Sequence, residues 1–107
     1  MKKMFTLLSA LFIGAMATAQ VTVTFQVDVT NYVAGGATLD ATGVRVGGNF
    51  SAMGGNANGG PMADWSPTTA TSAMTDLGNN IWEIAVEFPA ASVDQTLLYK
   101  FINGNWG

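Results

Sequence analysis

The stretch Leu97-Leu98-Tyr99-Lys100-Phe101-Ile102-Asn103-Gly104-Asn105-Trp106 reads as a strand, a turn and an aromatic in one pass. Side chains on a strand alternate between faces, so Leu97, Tyr99 and Phe101 point one way and Leu98, Lys100 and Ile102 the other. Asn103-Gly104 is a turn signal, and it delivers Trp106 soon after a lysine isolated on an otherwise apolar strand. An ammonium and an indole can therefore share one surface. That pairing suits a sugar, whose C–H face lies on the indole while a hydroxyl or ring oxygen accepts from the lysine.

Upstream, the alternation repeats. Val21, Val23, Phe25, Val27 and Val29 fall on one face of a strand and Thr22, Thr24, Gln26 and Asp28 on the other, which predicts a half-buried strand over 21–29. Residues 31–43 have a loop composition, Val44-Arg45-Val46 resumes the alternation, and Gly47-Gly48 is expected to end or bulge that strand. The Gly-, Asn- and Ala-rich segment 49–67 holds little that could form a core. A short strand at 73–76 and a Gly78-Asn79-Asn80 turn lead into 81–88, where Trp82, Ile84, Val86 and Phe88 share one face. Pro89 stops it. With no helical period in this region, the pattern predicts an all-β, immunoglobulin-like sandwich.

Residues 1–19 read differently. Lys2 and Lys3 precede an apolar run from Met4 to Met16, and Ala17-Thr18-Ala19 fits a small-x-small cleavage site, so a secretory signal peptide cut before Gln20 is expected. The run falls short of the roughly 20 apolar residues that a spanning helix needs. Without a cysteine in the chain, neither lipid attachment nor a disulfide framework is available, and stability must come from an ordinary core. Residues 20–107 then form one small domain, expected to be secreted or held at the cell surface. Arg45 and Lys100 are its only basic residues against seven carboxylates, a formal charge of −5. An acidic chain with scattered aromatics argues against nucleic acid and anionic membranes as partners, and for neutral ligands.

Catalysis has little to work with. The absence of His and Cys removes the usual nucleophile–base pairs and zinc sites. Glu83 and Glu87 lie on the polar face of one strand, about 13 Å apart by the usual rise, too far for a glycosidase pair. The Asp76-Leu77-Gly78-Asn79-Asn80 turn offers a single carboxylate, too few oxygens for calcium. The chain is expected to be no enzyme, with no metal and no cofactor. Trp82 belongs to an apolar face and reads as core, whereas Trp65, in a polar loop, and Trp106, after a turn, have no stripe to join. For both, ligand contact and structural packing stay open on the residues alone.

At Tyr99-Lys100-Phe101 and the following turn and Trp106, the chain resembles the starch- and glycogen-binding early-set modules found in secreted surface proteins of Bacteroidota-like bacteria. The likeness extends to Val21–Asp28, Val44–Phe50, Asp64-Trp65-Ser66-Pro67 and Ile81–Pro89. The resemblance implies an early-set sandwich that binds α-glucan, with Trp65, Lys100 and Trp106 lining one site and Asn103 and Asn105 adding hydrogen bonds from the turn. It also implies closing strands beyond Trp106, so the sandwich is expected to be cut short of its last strands, with downstream domains of a longer protein as further partners. The alternative from another class is a structural spacer or adhesion domain whose tryptophans only pack.

Secreted mature protein is expected to begin at Gln20, as read by N-terminal sequencing or intact mass. A secreted product that retains Met1–Ala19 overturns this expectation.

Overall fold

The computed structural model describes residues 20–106; the expected signal peptide lies outside the described residues. Strand β1 (Gln20–Asp28) is followed by a one-turn helix α1 (Thr30–Ala34), then β2 (Val44–Gly48), β3 (Asn56–Ala57), β4 (Gly60–Pro61), β5 (Thr75–Gly78), β6 (Ile81–Pro89) and β7 (Tyr99–Asn103). All pairings are antiparallel. One sheet runs β1-β6-β3-β4, with β5 also on β6; the other is the ribbon β2-β7. The all-β expectation holds. Among the described residues no helix is long and apolar enough to cross a membrane.

β1 and β6 pair along their full lengths, from Gln20 opposite Pro89 to Asp28 opposite Ile81. Their shared period of two sends Phe25, Ile84, Val86 and Phe88 inward, where they meet Val44 and Val46 of β2. Phe25 ties the layers together, edge-on to Phe50 at 5.8 Å and to Tyr99 of β7 at 4.8 Å. Full burial of such a ring is worth about 1.5–3 kcal/mol, and edge-to-face pairs add about 0.5–1.5 kcal/mol. On the outer face of the larger sheet, Gln26 donates to Glu83 at 2.9 Å. The expected turn before β6 forms from Gly78, Asn79 and Asn80, all with positive φ, the region that Gly and Asn tolerate best.

Three expectations change and one, at Gly47-Gly48, is narrowed. The loop composition of 31–43 does not prevent the helix α1, which begins where Asp28 Oδ1 accepts from the backbone N–H and hydroxyl of Thr30. Those bonds, the hydroxyl's first, hold the Asp28 carboxyl below its ordinary value. The segment 49–67 contributes more to the core than its composition suggests: Phe50, Ala57, Met62 and Pro67 are buried. Gly47 and Gly48 stay in register with Lys100 and Tyr99, so they end β2 without bulging it. Finally, Val21 and Val23 lie on the apolar face of β1 but are 44% and 37% exposed, because they line an open cleft shared with Met53, Val93 and Leu97.

Phe50→Ala is expected to cost about 3–5 kcal/mol of unfolding free energy and Trp82→Ala, half-buried against the core, about 3 kcal/mol. Denaturant unfolding checks both; a loss below about 1 kcal/mol at either position contradicts the assignment.

Candidate binding platform

The outer face of the β2-β7 ribbon is built from the residues that the pleat turns away from the core. Arg45 stands opposite Ile102, and Gly47 opposite Lys100. Ile102 is buried although it faces away from the main core. What covers it is visible at Gly47: a Cβ there would lie 2.8 Å from Ile102 Cδ1 and 3.3 Å from Trp106 Cζ2, so isoleucine and indole converge over the bare glycine backbone. Lys100 Nζ stands 5.7 Å from the centre of the same indole, within cation–π range.

Trp65 arrives from the other side. Asp64 closes the excursion that began after Phe50, its Oδ1 accepting from the N–H groups of Ser51 and Ala52 at 2.7 and 3.1 Å. The Trp65 N–H then donates to the Gly48 carbonyl at 2.7 Å, which fixes the loop to the end of β2. Just beyond, Arg45 Nη1 donates to the carbonyls of Pro67 and Thr69 at 3.1 and 3.0 Å and holds the following turn on the ribbon. The two indoles finish 6.4 Å apart at 37°, and Trp106 Nε1 donates to the Trp65 carbonyl at 3.3 Å. Trp65 is 40% exposed and Trp106 47%. The result is a tilted aromatic pair with an ammonium beside it, open to solvent.

Trp65 has φ +49°, a left-handed backbone that costs a bulky residue about 1 kcal/mol or more. A turn alone would be better served by Gly or Asn. Keeping tryptophan there places an indole against Trp106 that neither substitute could supply.

The structure brings together Trp65, Lys100 and Trp106, which span the chain from a middle loop to its last turn. Asn103 does not join them. It shares the inner face with Tyr99 and Phe101, its Oδ1 accepts from the Asp40 N–H at 2.7 Å, and its Nδ2 donates to the Thr38 carbonyl at 2.9 Å. A side chain so occupied anchors the turn instead of meeting a ligand. Asn105 is exposed, but its Oδ1 accepts from the Trp106 N–H at 2.8 Å and so shapes the turn from within. Asp40 completes the anchor. Its carboxyl abuts Gly104, and hydrogen bonds from Thr42, the hydroxyl's first, hold it below the ordinary carboxylate value. The Asp40-x-Thr42 spacing is a local turn signal, yet nothing in the sequence ties it to Asn103, 63 positions away.

Comparison of the chain with known protein families, with curated proteins and with solved structures finds no match.

Asn103→Ala removes both bonds to the 38–40 loop and is expected to cost about 1–3 kcal/mol, whereas Asn105→Ala leaves stability within about 0.5 kcal/mol. Thermal and denaturant melts separate the two, and equal effects contradict the anchor assignment.

Proposed function

We propose that this chain is a secreted, non-catalytic module, an immunoglobulin-like early-set sandwich, that binds an α-glucan or similar neutral polysaccharide on the Trp65–Trp106 platform, with Lys100 donating to a sugar hydroxyl. The observation that carries the reading is the convergence of Trp65, Lys100 and Trp106 on one solvent-facing surface, with a tryptophan held in a backbone conformation that disfavours it. The two indoles lie 6.4 Å apart and tilted by 37°, so a ligand that stacks on both must turn between its rings, as a curved glucan does. Burying part of one indole on a sugar is worth on the order of 1–3 kcal/mol, so two platforms give affinities in the millimolar to micromolar range. Such a module concentrates whatever it is attached to on its polysaccharide. The resemblance of the Tyr99-Lys100-Phe101 strand and its following Trp to glucan-binding modules supports the same reading, as does a chain without His or Cys for a non-catalytic role.

Affinity electrophoresis in amylose or glycogen gels and calorimetry with maltoheptaose test this. Trp106→Ala is expected to abolish retardation, and Lys100→Gln to weaken it several-fold. Trp65→Gly is the sharper variant: glycine relieves the left-handed strain, so stability should change little while retardation is lost. Wild-type protein that ignores α-glucan, β-glucan and cellulose alike leaves the spacer reading in its place. A stability loss without a binding loss in Trp65→Gly makes Trp65 a packing residue.

A further inference from the structure

Two residues that meet the same short turn each carry a cost. Trp65 holds a left-handed backbone, φ +49°, which a bulky residue keeps only where its surroundings over-determine it. Arg45, on the outer face of β2, has its Nε buried with no acceptor among the described residues, a loss that an apolar side chain would avoid. What lies between them accounts for both. The Ser66 carbonyl accepts from the Thr69 hydroxyl at 2.8 Å, from the Ser72 hydroxyl at 3.0 Å and from the Thr69 N–H at 3.3 Å. Arg45 Nη1 carries two protons, and they reach the carbonyls of Pro67 and Thr69. Ser72 is 1% exposed, and Pro67 is fully buried. Proline fixes its own φ and disfavours helical backbone at Ser66. The segment 66–72 is therefore a stiff polar knot fastened to β2, and Trp65 is the residue that leads into it.

We propose that Arg45 and Ser72 are positioning residues for the aromatic platform: through the Ser66 and Pro67 carbonyls they hold Trp65 in its left-handed conformation, and so hold its indole against Trp106. On the upstream side the Trp65 N–H is fixed by the Gly48 carbonyl. On the downstream side the Trp65 carbonyl must face Trp106 Nε1, which donates to it at 3.3 Å. The direction of that carbonyl is the direction of the Trp65–Ser66 peptide plane, which cannot turn while Ser66 and Pro67 are held. Released, the backbone at residue 65 has extended and right-handed alternatives that an L residue prefers, and either one carries the indole away from Trp106. The geometry of the platform is thus decided partly by a strand residue and a buried serine that need touch no ligand. It also explains why an arginine with an unsatisfied Nε occupies position 45: its Nη1 protons hold the turn that a strained tryptophan requires.

Exciton coupling between the two indoles, 6.4 Å apart, gives a circular dichroism couplet that needs no ligand. Trp65→Gly and Trp106→Ala identify it, since each abolishes it. Arg45→Met keeps the length and apolar stem without the donors and is expected to lose most of the couplet. Ser72→Ala reduces it, and Arg45→Lys, which keeps a donor, retains it. The effect on a ligand rests on the glucan reading above: retention in amylose gels should weaken about tenfold in Arg45→Met, which loses two hydrogen bonds, and about threefold in Ser72→Ala, which loses one. Arg45→Lys should stay near wild type. Denaturant unfolding checks that each variant is folded; should Arg45→Met fail to fold, Ser72→Ala carries the same test. A couplet unchanged in the folded variants overturns the proposal whether or not the protein binds glucan, as does a wild-type couplet that survives Trp65→Gly. A lowered melting temperature with couplet and retention intact makes the knot ordinary packing and overturns it equally. If wild-type protein retains no glycan but the couplet falls in the order given, the positioning role stands and the glucan reading alone fails.

Discussion

Two adjacent residues without side chains, Gly47 and Gly48, allow both faces of the β2-β7 ribbon to form. On the inner face, a Cβ at Gly48 would lie 2.3 Å from the Leu98 carbonyl and 3.0 Å from the Phe50 ring, so only glycine lets β7 and Phe50 close on β2. On the outer face, Gly47 is the floor on which Ile102 and Trp106 meet. One dipeptide therefore sets the depth of the core on one side and the seat of the aromatic platform on the other. The cost is the usual entropic weakness of glycine in a strand, about 0.5–1 kcal/mol each. Fully buried Phe50 and the edge-on aromatic contacts of Phe25 offset it.

The platform is assembled from three distant parts of the chain, each anchored through its backbone, and the two indoles stay 40% and 47% exposed. Trp65 is tied through its N–H to Gly48 and through the Asp64 carboxylate to the turn after Phe50. Trp106 is tied through Asn105 within its own turn, and that turn is tied through Asn103 to the 38–40 loop. Lys100 is placed by β7 itself, opposite Gly47. In the proposed binding role, such supports keep the entropy cost of binding low, because the rings are already oriented.

The larger sheet meets the opposite problem. β6 is covered on both edges, by β1 on one side and by β5 and β3 on the other, whereas β1 has no second partner among the described residues and carries two partly exposed valines. A small domain without disulfides has few ways to protect such an edge, since each residue spent covering it is a residue removed from the core. Here polar uncharged side chains, Thr22, Thr24 and Gln26, occupy the outward positions.

The strands themselves were legible because strand identity is local: a period of two in Val21–Val29, Ile81–Phe88 and Leu97–Ile102, and turns at Gly78-Asn79-Asn80 and Asn103-Gly104, follow from side-chain chemistry and backbone sterics alone. From the same alternation came the placement of Lys100 away from Tyr99 and Phe101, and of Trp82 on the core face. Tertiary structure decided the rest. Composition hid the core role of Phe50, Met62 and Pro67, because burial in a glycine-rich loop depends on what the loop folds against. It also hid the duty of Asn103, whose amide serves either a ligand or the backbone of a loop some 63 positions earlier, a choice settled only by where that loop passes. Exposure of Val21 and Val23 was equally out of reach, for a strand's pattern tells which face is apolar and not what packs over it. The convergence of Trp65 with Trp106 belongs to the same class: the contact joins residues 41 positions apart, and it exists because Asp64 returns a long excursion to the edge of β2.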